Sequence, residues 1–142
     1  MFFLWWAPAI WDILGTADLT TTIMGMWTTY PARPINGVMV SDWLTYGRHR
    51  QQALTNLAYP DSLSELMMSL RVHPDSLRTD ELARFIPADR LDHAAERFAD
   101  KIKKLKEAWA ADRTYVNVGR HLAAAGDFDL FFFYLRGPDT VS

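Results

Sequence analysis

The chain has no cysteine, which leaves it without a disulfide framework, a thiol nucleophile or a Cys-ligated zinc site. It also lacks a charge excess: 15 Lys and Arg against 17 Asp and Glu give a formal charge of −2 at pH 7. A field that weak argues against nucleic acid or an anionic membrane surface as partner. Long hydrophobic runs are missing too. The opening Met1-Phe2-Phe3-Leu4-Trp5-Trp6 is apolar, but Pro8 and Asp12 interrupt it, far short of the roughly 20 residues that cross a bilayer. No membrane segment is expected here. With no Lys or Arg before this run and no small-x-small cleavage site after it, the segment fits poorly as a secretory leader and is expected to be buried wall. Other signatures are absent: no Gly-x-Ser-x-Gly elbow, no glycine-rich phosphate loop, no His pair at i, i+4,. What remains is 142 residues with 49% hydrophobic, 13% aromatic and 23% charged side chains, proportions that support one globular core and exclude disorder.

Local patterning predicts a short helix over 8–14, with Pro8 at its first position and Gly15 after it. A β-branched strand is predicted between Asp18 and Trp27, and a short extended piece at Val38-Met39-Val40 after the Asn36-Gly37 turn. The stretch from Asp42 to Tyr59, with Arg48-His49-Arg50-Gln51-Gln52 in it, reads as coil. Ser62-x-x-Glu65 has the form of a capping box opening a helix through about Val72, and a short helix is predicted from Thr79 to Phe85. From Ala88 to Ala110 the apolar positions Leu91, Ala94, Ala95, Phe98, Ile102, Leu105 and Trp109 recur at three- and four-residue steps, the stripe of one continuous helix. Lys103, Lys104 and Lys106 then lie near its carboxyl end, where cations suit the helix dipole. Asp112 is predicted to cap a further helix that stops at Gly126.

Leu130-Phe131-Phe132-Phe133-Tyr134-Leu135 is apolar on both alternating faces, as in a central parallel strand covered on each side. The fold class expected is therefore α/β, part of a mostly parallel sheet with flanking helices and a helical insert. Its three parts are a helix-strand unit over 1–41, a mainly helical insert or cap over 42–111, and a helix-strand unit over 112–142.

Ligands in such sheets bind beyond the carboxyl ends of strands, which singles out Asp139 in the Gly137-Pro138-Asp139 turn. A carboxylate there is a hard donor suited to a divalent cation; the same four residues also suit an ordinary surface turn with Asp as local capper. Of the aromatics, Trp27, Tyr30, Trp43 and Tyr46 are expected to be exposed and usable as stacking walls. His49, His73, His93 and His121 are expected to be solvated or partly packed.

Two segments resemble a known family. The stretch from Asp127 through Phe131-Phe132-Phe133-Tyr134 to Asp139 and Ser142 resembles alkaline phosphatase superfamily enzymes of the type I phosphodiesterase/nucleotide pyrophosphatase kind. In these a hydrophobic strand ending in Tyr leads to Asp-x-x-x-His. The region of Trp11, Trp27-Thr28-Thr29-Tyr30-Pro31 and Asn36-Gly37 looks like the part that precedes this motif in the predicted phosphohydrolase or phosphomutase branch. The resemblance implies that Asp139 is a ligand of a two-metal centre, two divalent ions of the zinc type, and that a histidine follows Ser142. It implies a phosphoester small molecule as substrate, a covalent phospho-enzyme, and a nucleophile upstream of Trp11. Trp27 and Thr28, at a strand end near the expected crevice, are candidates to line it, against a purely structural role in the turn. No catalytic residue falls on this chain, which is expected to be an inactive internal fragment of such an enzyme. The competing reading is a non-enzymatic helical interaction module using the 88–110 helix.

Overall fold

A computed structural model describes residues 7–46 and 55–140, apart from the side chains of residues 139 and 140. The apolar opening segment, the Arg48–Gln52 part of the expected coil and the last two residues lie outside the described residues. The elements are α1 (Ile10–Thr16), β1 (Thr21–Met24), β2 (Gly37–Val40), β3 (Ala58–Tyr59), α2 (Ser64–Ser69), α3 (Leu91–Arg97), α4 (Ala99–Ala125), β4 (Leu130–Phe133) and α5 (Gly137–Thr140). Short 3₁₀ turns fill much of the remainder, including Asp42–Thr45 and Thr79–Arg84.

The strands form one four-stranded mixed sheet in the order β3-β2-β1-β4, so the chain is α/β. β1 runs parallel to both β2 and β4, pairing Met24 with Val40 on one side and with Phe133 on the other. β3 closes the far side antiparallel to β2. All four residues of β1 are buried, as its β-branched Thr21, Thr22 and Ile23 require of a strand with neighbours on both sides. On the sheet lies α4, whose Tyr115, Val118 and Leu122 share one face and pack with Met24, Val40, Leu44, Leu57 and Met67 in the core. Among the described residues no helix is long and apolar enough to cross a membrane.

Three expectations are corrected. Among the described residues β2 and β1 are the interior strands and β4 stands at the sheet edge, with Phe132 41% and Phe133 50% exposed. An apolar run reports that a segment can be covered, but the strand order decides which neighbour covers it. Second, the stripe over 88–110 is not one helix. Phe98, with φ −127° and ψ 40°, separates α3 from the 27-residue α4. One non-helical residue keeps the apolar spacing almost in phase, so periodicity does not register the break. Asp112 consequently lies inside α4 instead of capping a new helix, and the chain leaves α4 at Gly126 as expected. Third, the Ser62–Glu65 capping box does not form, and α2 begins at Ser64. Asp61 instead accepts the Asn56 N–H at 2.8 Å and the Ser64 hydroxyl at 2.9 Å, while Ser64 Oγ accepts the Ala58 N–H at 3.1 Å. The helix ends before Val72, whose N–H donates to Thr114 Oγ1 on α4 at 2.9 Å. These bonds tie the segment before α2 to β3 and the segment after it to α4.

Candidate functional site

The carboxyl ends of β1, β2 and β4 open onto one edge of the sheet, and the loops leaving them touch. After β1 the chain turns through Gly25 at φ +70°, where a Cβ would stand 3.0 Å from the Tyr134 carbonyl oxygen and 3.1 Å from the Tyr115 ring. Only glycine combines that backbone with so close an approach of three segments. Trp27 follows, 59% exposed, its ring edge-on to Tyr134 with centroids 6.4 Å apart. Thr28 adopts φ +63°, strained for a β-branched residue. Its N–H donates to Asp42 Oδ2 at 3.2 Å, and Thr29 Oγ1 accepts the Asp42 N–H at 3.1 Å. These bonds fasten the β1 loop to the residue that follows Ser41 after β2.

Asp42 is held in this clasp, with burial raising its carboxyl above the ordinary range against the pull of its hydrogen bonds to Thr28 and Thr29,. Beneath it the buried Tyr115 hydroxyl lies 3.1 Å from both the Ser41 and Asp42 carbonyl oxygens, to which it donates. Tyr30 and Trp43 stack at 4.2 Å between ring centroids. Of the four aromatics expected at the surface, Trp27 and Tyr46 are exposed, while Tyr30 and Trp43 are half-buried against each other.

After β4, Tyr134 donates its N–H to the Met24 carbonyl at 3.0 Å. Gly137 then gives its N–H to Asp112 Oδ1 on α4 at 3.1 Å, and a Cβ at 137 would run into that carboxylate. Asp112 thus anchors the turn that carries Asp139. Burial raises the Asp112 carboxyl above its ordinary 3.8, opposed by the N–H groups of Gly137 and Arg136 and by the Arg136 charge. Arg136 lies over the Tyr46 ring at 5.1 Å.

The sequence-predicted positions Trp27, Thr28 and Asp139 therefore lie along the same sheet edge, Asp139 within α5. Missed by sequence reasoning were Asp42, Asp112 and Tyr115, whereas Arg136 opens the segment past the apolar strand where ligands are expected. Asp42 and Arg136 carry a weak signal, each within three residues of a strand end. Asp112 and Tyr115 carry none, because their roles depend on how α4 crosses the sheet. Among the described residues no three His, Cys, Asp or Glu side chains come together as a metal-holding group. His93 and His121 are exposed on α3 and α4, and His73 Nδ1 accepts the Asp75 N–H at 3.2 Å.

The raised Asp112 carboxyl has a measurable consequence. A folded state that holds a proton more tightly than the unfolded chain loses stability as pH rises from the ordinary 3.8 through the raised value,. Asp112→Asn keeps an oxygen for the Gly137 N–H and removes this ionisation. Thermal melts across a pH series are expected to show the variant gaining on the parent as pH rises from 3.8, then holding a constant gap. A gap independent of pH over that range would overturn the assignment.

Compared with known proteins, the chain matches no family model, no curated protein and no solved structure.

Proposed function

We propose that this chain supplies part of the core and of the active-site edge of a metal-dependent phosphohydrolase or phosphodiesterase of the alkaline phosphatase superfamily. The observation that carries this reading is the convergence of Trp27-Thr28, Asp42 and the 137–140 turn where β1, β2 and β4 end, the place where α/β sheets bind ligands. The outer side of β4 adds support. Among the described residues it pairs with no strand and leaves Phe132 and Phe133 exposed, an edge that further sheet would cover. The break at Phe98 weighs against the helical interaction module, which needs one continuous amphipathic face over 88–110.

The roles that follow are limited. Trp27 offers an exposed wall for a phosphoester small molecule, and Thr28 sets the turn that presents it. Asp139 is the proposed ligand of the centre of two divalent ions, with zinc the metal of the resemblance. The described residues do not by themselves fit such a centre: Asp42 and Asp112 already accept backbone N–H groups, and no third donor joins either. No reaction step is therefore assigned to a metal here, and the other ligands and the nucleophile belong to residues outside this set.

The test is calorimetric titration of the intact protein containing this chain with Zn(II). Asp139→Ala is expected to weaken uptake of one ion at least about tenfold and to cut hydrolysis of a p-nitrophenyl phosphoester by about 100-fold or more. Identical zinc uptake by parent and variant would overturn the reading.

A further inference from the structure

The Asn36-Gly37 turn takes no part in the candidate site, which lies at the opposite end of β1 and β2. The pair has a chemistry of its own. An asparagine holds its side-chain carbonyl carbon within reach of the next residue's backbone nitrogen, and a glycine there, having no Cβ, leaves that nitrogen open and mobile. The chain has three asparagines, Asn36, Asn56 and Asn117, and only Asn36 precedes a glycine. Leu57 and Val118 follow the other two, and their branched side chains crowd the nitrogen.

In the folded chain both reacting groups are held apart. Asn36 Nδ2 donates to the Leu19 carbonyl at 3.0 Å, which fixes the side-chain amide. The Gly37 N–H donates to the Ile35 carbonyl at 3.0 Å, and the Asn36 carbonyl accepts the Thr21 N–H at 2.9 Å. Gly37 also lies so close to the Thr21 backbone that a Cβ there would run into it, leaving no room for its nitrogen to swing toward the Asn36 side chain. Asn36 is nevertheless exposed. Water is at hand from the outset, and only freedom of the backbone is missing.

We propose that Asn36 is a site of spontaneous deamidation, closed while β1 and β2 are joined and converted by water to aspartate and isoaspartate once that joint parts. The Gly37 backbone nitrogen attacks the side-chain carbonyl carbon of Asn36. The new C–N bond closes a cyclic imide, the bond from that carbon to Nδ2 breaks, and ammonia leaves with the proton that Gly37 gives up. Water then adds to either imide carbonyl and breaks its bond to nitrogen. Opening at the side-chain carbonyl gives aspartate; opening at the main-chain carbonyl gives isoaspartate, whose backbone runs one carbon longer. One water is consumed and one ammonia released, with no oxidant, metal or enzyme required.

Neither product fits the joint as asparagine does. A carboxylate only accepts, so aspartate sets an oxygen against the Leu19 carbonyl where Nδ2 donated. Isoaspartate turns the carbonyl that held the Thr21 N–H into a side branch and lengthens the chain beside it. That bond and the pairing of Thr21 with Gly37 cannot both survive,. An opening event therefore leaves the joint permanently weaker. The inference is independent of the hydrolase reading, since neither Asp139 nor a metal enters it.

The test incubates the 142-residue chain at mildly alkaline pH with and without urea, followed by peptide mapping that separates aspartate from isoaspartate. In urea Asn36 is expected to convert to both products while Asn56 and Asn117 stay intact. Without urea the conversion should be slower by at least about tenfold, because only the opened fraction reacts. Asn36→Asp, which matches the aspartate product, is expected to melt about 3 °C or more below the parent. Three results would overturn the proposal: equal conversion of Asn36 with and without urea, no conversion in urea, or parent-like melting of Asn36→Asp. None of them bears on zinc uptake, so the hydrolase reading stands or falls by its own titration.

Discussion

Gly37→Ala is expected to be the most damaging single-methyl change in the chain. Gly37 begins β2 directly opposite Thr21 of β1, with φ +135°, a conformation open almost only to glycine. A Cβ at this position would overlap the Thr21 carbonyl and backbone nitrogen, and backbone cannot step aside as a long side chain can. The neighbouring bonds hold the two segments together. Thr21 donates its N–H to the Asn36 carbonyl at 2.9 Å, and Asn36 Nδ2 donates to the Leu19 carbonyl at 3.0 Å. Relief would part β1 from β2 at the start of their ladder. The expected cost is more than about 3 kcal/mol, a fall in melting temperature of roughly 10 °C for a domain of this size. Denaturant titration measures it. Gly15→Ala is the control: its Cβ would meet Asn36 Cβ at an ordinary 3.5 Å inside α1, and the change should stabilise by up to about 1 kcal/mol. Parent-like melting of Gly37→Ala would overturn the β1–β2 register described above.

Tyr115 is the second. It is 2% exposed, fills the space beneath Gly25, and gives its hydroxyl to the Ser41 and Asp42 carbonyls at 3.1 Å each. The residue joins α4 to the carboxyl end of β2, and so holds the helix against the candidate site. Tyr115→Ala is expected to cost about 3–5 kcal/mol through lost burial and the cavity left behind. Tyr115→Phe keeps the ring and removes the donor, at about 1–2 kcal/mol for two carbonyls left without it. The two variants separate packing from hydrogen bonding in one set of denaturation curves. A second readout is alkaline: burial raises the phenol above its ordinary 10.0, so the folded state keeps its proton longer and stability falls as pH climbs past that value. Tyr115→Phe should lose this part of the alkaline decline. Equal stability of Phe and Tyr at neutral pH would remove the clasp from the account of the site.

Several elements were legible because their cause is local. The β-branched run at Thr21-Thr22-Ile23, the turn at Asn36-Gly37, the apolar run before Tyr134 and the exit at Gly126 each appear where the chain's own stereochemistry puts them. Tyr115, Val118 and Leu122 stand at three- and four-residue steps along α4 and form the face that meets the sheet. The break at Phe98 escaped the same reasoning, since one non-helical residue leaves the apolar rhythm nearly unchanged. With it went the dipole argument for the lysines, which lie in the second and third turns of α4, far from its carboxyl end,.

By itself the sequence determined that the chain mixes strands with helices around one apolar core, and that Trp27, Thr28 and Asp139 follow its strands. These follow from backbone preference and side-chain periodicity, which act over a few residues. Only the tertiary structure decided that, among the described residues, β1 and not β4 has a strand on either side, and that Asp42 and Asp112 act as anchors. Such partnerships join positions distant along the chain, and their energy depends on packing geometry that no local pattern contains.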